Sequence, residues 1–349
     1  MTKRLFYIIG ATCFVTTLIS CSKDSDAPPP PPPPSGGQSI QLNGGTGGAN
    51  AVNSVYLDLS TGKQDSVKRT SWDLGFYCGS DFRVIINRTT AASVKPTAKN
   101  DINAIVADDT LGFADALRVG QGEGAMDIID DVDGDLSKTA IAAISAEDAD
   151  NKVYILSPSN GMVAPARDFY KIRITRNGNG YRVQYAKLSE QNIKTIDVGK
   201  DDRYNFRHAS LETGGIVNAE PAKANWDILW TLTTYKATAT IPYTFSDFVY
   251  INALAGVQAA EVLTSAISYE EYNETHVAGT TFSNSSTVIG SNWRSAAPPP
   301  AVTSVKTDRF YVIKDVAGNI YKLKFVSFAS GDGGERGKPE LEYKLVKAP

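Results

Sequence analysis

Residues suited to metal or redox chemistry are scarce: three cysteines, two histidines and three methionines in 349 residues. Cys13 and Cys21 both fall within the first 21 positions, which leaves Cys78 alone in the rest of the chain. An internal disulfide there is excluded, and the fold must rest on a conventional apolar core, which a chain of this length can bury. Cys78 reads as a small buried side chain. No Cys/His spacing suits zinc. Two histidines and no Gly-x-Ser-x-Gly leave little basis for a hydrolytic triad. No glycine pattern of a Walker or dinucleotide loop leads from a strand into a helix. Lys and Arg number 35 against 38 Asp and Glu, a net charge of −3, so no basic field exists to hold nucleic acid. The acidic run Asp130-Asp131-Val132-Asp133-Gly134-Asp135 lacks the Gly and Glu positions of an EF-hand and reads as a solvated turn. No long hydrophobic run occurs beyond residues 5–19, and that stretch is shorter than the roughly 20 residues a membrane span needs.

What is present begins at the N-terminus. Lys3 and Arg4 precede the apolar stretch, the order of a signal peptide. Leu18-Ile19-Ser20-Cys21 resembles a bacterial lipobox, with small Ser20 before the cut and Cys21 as the acylated residue. Acyl chains would hold the protein on a membrane at about 0.8 kcal/mol per buried CH₂. Ser22-Lys23-Asp24-Ser25-Asp26 resembles the acidic signal of surface-displayed lipoproteins of Bacteroidetes-type bacteria. The prolines at 28–34 predict a stiff, extended spacer, and Ser35-Gly36-Gly37 a flexible joint.

Tyr-, Val-, Ile- and Thr-rich runs broken by Gly and Asn predict an all-β fold with short helices. Two sets of markers recur in the same order. Leu59-Ser60-Thr61-Gly62 then Trp72-Asp73 matches Leu211-Glu212-Thr213-Gly214 then Trp226-Asp227. Residues 168–185 match 308–325 without a gap, and each reads as a β-hairpin with alternating apolar residues and a Gly-Asn turn. The expected organisation is a signal peptide at 1–20, a Pro-rich linker at 21–38, and two tandem antiparallel β-sheet units at 39–195 and 196–349. Residues 104–150 are expected to hold loops and short helices, and 252–272 a helix of about three turns.

The Trp-Asp strand followed by an Asn-bearing strand resembles HmuY-like lipoproteins. So does the hairpin Phe310-Tyr311-Val312, Gly318-Asn319-Ile320, Lys324-Phe325. The resemblance implies a surface lipoprotein whose best-known relatives capture haem and pass it to an outer-membrane receptor. In those relatives two axial ligands, His in some and Met in others, lie between the Trp-Asp strand and the last hairpin. One such His lies a few residues past a Trp, but here Trp293 is followed by Arg294 and a Pro-rich stretch. The ligand candidates left are His276, Met162, Met126 and His208, with haem iron held through His276 or Met162. Local context favours a solvated surface role for His276, beside Glu270, Glu271 and Glu274, a packing or exposed-loop role for Met162, and a structural role for His208.

The expected function is non-enzymatic. A cell-surface lipoprotein, anchored in the outer membrane through Cys21, binds a small ligand, with haem leading, and hands it to a receptor. The alternatives are a glycan- or protein-binding module using exposed Tyr and Trp and, a distant third, an envelope hydrolase.

Overall fold

The computed structural model describes residues 33–120, 122–159, 161–296 and 302–349. The signal peptide, Cys21 and nearly all of the proline run lie outside the described residues. Residues 34–349 form one compact unit.

The alternating segments become strands, and the strands are mostly antiparallel neighbours in sequence. One five-stranded sheet runs in the order Lys194–Gly199, Gly180–Lys187, Tyr170–Asn177, Val153–Ser157, Ser93–Pro96. A second runs Gly37–Gln41, Glu340–Lys347, Ile320–Ser327, Arg309–Lys314, Gln258–Leu263. Both expected hairpins sit at the heart of these sheets. Tyr170, Ile172 and Ile174 on one arm and Tyr181, Val183 and Tyr185 on the other are all buried, as period-two alternation requires. The turns differ. The first hairpin closes on two residues, with Gly178 at φ 58°. The second closes on a longer loop, in which Asn319 donates its backbone N–H and its amide to the Asp315 carboxylate at 2.8 and 2.6 Å.

Each five-stranded sheet packs face to face on a four-stranded one. The first covers Gly215–Val217, Phe206–Ser210, Leu74–Tyr77, Val84–Ile86, through a core that includes Phe76, Ile172 and Tyr181. The second covers Pro242–Ile251, Ile228–Lys236, Asn53–Leu57, Gln64–Lys68, through Trp230, Trp293 and Tyr321. The result is two sandwiches.

The two sets of markers are wired crosswise. The hairpin that carries Leu59 and Gly62 pairs with the strand after Trp226-Asp227. The hairpin that carries Leu211 and Gly214 pairs with the strand after Trp72-Asp73. The contacts match atom for atom. Leu59 N–H donates to Asp227 Oδ2 at 2.8 Å, and Leu211 N–H to Asp73 Oδ2 at 2.7 Å. The Asn252 side chain donates to the Trp226 and Lys223 carbonyls, and Asn87 to those of Trp72 and Arg69. The expected boundary at 195 falls inside strand Lys194–Gly199.

Residues 104–150 hold 3-10 turns and one short helix, Phe113–Ala116. The helix expected over 252–272 does not form. Asn252 caps a 3-10 turn at Ala253–Ala255, and the alanine-rich stretch continues as strand Gln258–Leu263, paired with Arg309–Lys314. Alanine's helix preference is worth less than one kcal/mol or so per residue, and a complete ladder with a neighbouring strand outweighs it.

Candidate functional site

Cavities open at several places among the described residues, three of them with polar and aromatic walls. The first, of 340 Å³, sits where the crosswise hairpins meet. Trp72 packs edge-on against His208 at 4.6 Å between ring centres, and Trp226 edge-on against Tyr56 at 5.0 Å. By strand register the two pairs are equivalents: Ala209 lies opposite Leu74 and His208 precedes it, while Leu57 lies opposite Ile228 and Tyr56 precedes it. His208 is 4% exposed, and its ring nitrogens take no hydrogen bond among the described residues. Burial, with Arg207 adding to it, pushes its pKa down to about 3, so it is neutral at physiological pH. Glu220 is buried beside it and accepts from the Asn205 amide at 2.9 Å. Burial pushes its carboxyl up to about 8, which makes it protonated.

The second cavity, of 360 Å³, opens beside Met162, at the mouth formed by residues 161–163 and the outer part of strand Pro242–Ile251. Tyr243 and Phe245 supply half-buried rings, 5.2 Å apart between centres. Arg294 and Arg336 form its polar wall. Both converge on Asp247: Arg336 Nε lies 2.7 Å from Oδ2 and Arg294 Nε 4.0 Å. Arg336 also donates to Ser246 Oγ at 2.9 Å, and Arg294 to the Ser246 carbonyl. Asp247 is held at φ 55°, a strained conformation for a residue with a Cβ, and it is buried. Two guanidiniums face one carboxylate, so this wall carries an excess positive charge. Met162 is 47% exposed. Val163 and Leu232, which line the cavity, belong to a core cluster on which half-buried Met126 packs. The third cavity, of 610 Å³, is walled by charges of both signs, Arg167, Lys187, Glu190 and Glu212 among them.

The candidates named from the sequence are therefore dispersed. Met162 and Met126 share one neighbourhood, and His208 lines the first cavity. His276 lies on the short helix Glu274–Val277, half-buried, where its Nδ1 accepts from the Asn273 N–H at 3.2 Å and its ring leans on Tyr272. It lines none of the three cavities. Trp293 is a core residue, stacked on Phe325 at 4.0 Å. Asp130 and Asp131 of the acidic run are used internally as acceptors for backbone N–H groups. Among the described residues, no group of three or more His, Cys, Asp or Glu could hold a metal ion. Cys78 is half-buried, and burial raises its thiol pKa. Sequence reasoning missed Arg294, Arg336 and Asp247, which come together only through the fold. Trp72 and Trp226 were visible as repeat markers, but nothing in their spacing showed that they share a cavity.

No helix among the described residues is long and apolar enough to cross a membrane. No curated protein matches the chain. Among solved structures, apo PinO from Porphyromonas gingivitis is similar over 90% of this chain and 98% of its own, at 11% identity and a TM-score of 0.23, too slight a likeness to inform the site. The family model described as HmuY protein matches residues 50–343, a span that takes in most of both sandwiches. The chain belongs to the HmuY family.

Proposed function

We propose that this protein captures haem as cargo, without chemical turnover, in the cavity beside Met162, and passes it to an outer-membrane receptor. Acylated Cys21 and the proline spacer would hold it at the cell surface. The observation that carries the reading is the meeting of three chemistries in one 360 Å³ space. Haem needs a soft or imidazole ligand for iron, apolar faces for the macrocycle and cations for its two propionates. Met162 offers a thioether at the mouth, Tyr243 and Phe245 offer rings, and Arg294 with Arg336 offers the excess positive charge. Met126 packs on the core cluster that Val163 and Leu232 share with this cavity. A cavity of this volume suits a small molecule.

The test is a visible-region titration of the mature protein with haem. A saturable Soret band is expected. Met162→Ala is expected to weaken binding about tenfold or more, equivalent to ~1.4 kcal/mol or more. Arg336→Ala is expected to weaken haem while sparing a porphyrin whose propionates are esterified. A Soret titration unchanged in Met162→Ala, or no saturable band in the parent, would sink the reading.

A further inference from the structure

The first cavity carries a separate inference, independent of where haem goes. It lies between the two matched indoles, Trp72 and Trp226, on the seam of the crosswise hairpins. Its walls are chiefly aromatic and aliphatic, with Tyr56, Tyr250 and Leu254 completing them. Polar groups interrupt those walls, among them the charged Arg88 and Asp133 and the five side chains of His208, Glu220, Asn205, Ser54 and Thr231. Two facts about these groups restrict the ligand.

First, none of the five carries a charge at neutral pH, since His208 is neutral and Glu220 protonated. Arg88, at the edge, is turned onto Tyr250, donating to its hydroxyl at 3.2 Å. Asp133 is likewise engaged, by Lys236 at 2.5 Å. Second, each of the five groups both donates and accepts: a neutral imidazole, a protonated carboxyl, an amide and two hydroxyls. The natural complement is a ligand whose rim also does both, and that is a hydroxyl. Ser54 and Thr231 are already bonded to each other at 2.7 Å. His208 is more than nine-tenths buried, lines the cavity and has no hydrogen-bond partner among the described residues. A ligand hydroxyl in the cavity would complete it.

We propose that this cavity is a binding site for an uncharged sugar ring, one pyranose seated between Trp72 and Trp226 with its hydroxyl rim on His208 and Glu220. Apolar C–H faces of the ring meet aromatic walls, and the equatorial hydroxyls meet groups of the same dual character. The volume suits one or two rings and excludes a long chain from full enclosure.

The experiment is saturation-transfer NMR, with tryptophan fluorescence titration, on the full mature protein. The probes are glucose, galactose, mannose, N-acetylglucosamine and their methyl glycosides, with adenine as a flat ring lacking hydroxyls. At least one sugar is expected to saturate and adenine is not. His208→Phe keeps the ring shape and removes both nitrogens, and is expected to weaken that sugar about tenfold. Leu254→Trp, at an exposed position on the mouth, is expected to abolish it by obstruction. Met162→Ala is expected to leave it unchanged, so failure of the haem reading and failure of this one are separately visible. Saturation by adenine in place of sugars, no saturation by any sugar of the panel, or unaltered sugar binding in both His208→Phe and Leu254→Trp would overturn the assignment.

Discussion

Asp73 and Asp227 occupy matched positions and accept the same backbone N–H, yet their electrostatics differ. Asp73 has a guanidinium partner in Arg167, whose Nη2 lies 3.3 Å from Oδ2. Asp227 has none and is held among other carboxylates, so burial first, then Asp58 and Asp315, push its pKa up to about 8. Removing Asp73 therefore strands a half-buried cation, and Asp73→Ala is expected to cost ~3 kcal/mol in urea unfolding. Asp227→Asn should behave differently with pH. A carboxyl raised from its usual range to about 8 binds more protons folded than unfolded between those values. Its contribution is complete below the unfolded pKa and is lost as pH rises toward 8. Glu220 has the same sign. Asn and Gln imitate the protonated forms at every pH. From pH 5 to 8 the parent is thus expected to lose stability relative to Asp227→Asn or Glu220→Gln, at a slope of up to about 1.4 kcal/mol per pH unit for each group. Thermal midpoints at matched ionic strength read this directly, and parallel curves for parent and variants would contradict it. His208 acts in the opposite sense, its lowered pKa making stability fall as the solution drops below 6.5.

At the level of elements, the hairpin turns were legible because alternation and turn chemistry are local. Gly62 at φ 71° and Gly214 at φ 77° close the two matched loops. Gly62→Ala and Gly214→Ala are each expected to cost about 1–2 kcal/mol in chemical unfolding. At Gly62 the added Cβ also displaces the exposed Gln38 amide, 2.3 Å away, which swings aside at little cost. What alternation leaves open is the partner. It tells which face of Asn53–Leu57 is buried and says nothing of the strand beside it, so the crossing of the hairpins was out of reach from sequence. The Ala-rich stretch after Asn252 misled for a related reason: its composition suits a helix, and only the edge offered by Arg309–Lys314 makes it a strand. The residues of the proposed haem site were half legible. Met162 was named from its place before a hairpin, while the arginine pair depends on the bend at Asp247.

For the molecule as a whole, the crossing means that each sandwich borrows a hairpin from the other half of the chain. The two sequence units, which we propose to be repeats, should not fold apart. Cutting the chain in the exposed turn at 202–203 is expected to give two fragments without cooperative unfolding, and mixing them to restore it along with the near-ultraviolet dichroism. A fragment that unfolds cooperatively alone would refute this. The same wiring governs the order in which an emerging chain becomes protected. Leu59 meets Asp227 across 168 residues, and Ser39 meets Glu340 across 301. As the polypeptide emerges N-terminus first, the early strands must stay exposed until nearly the last residue has appeared. A stalled or truncated chain would present bare strand edges to proteases and to its neighbours.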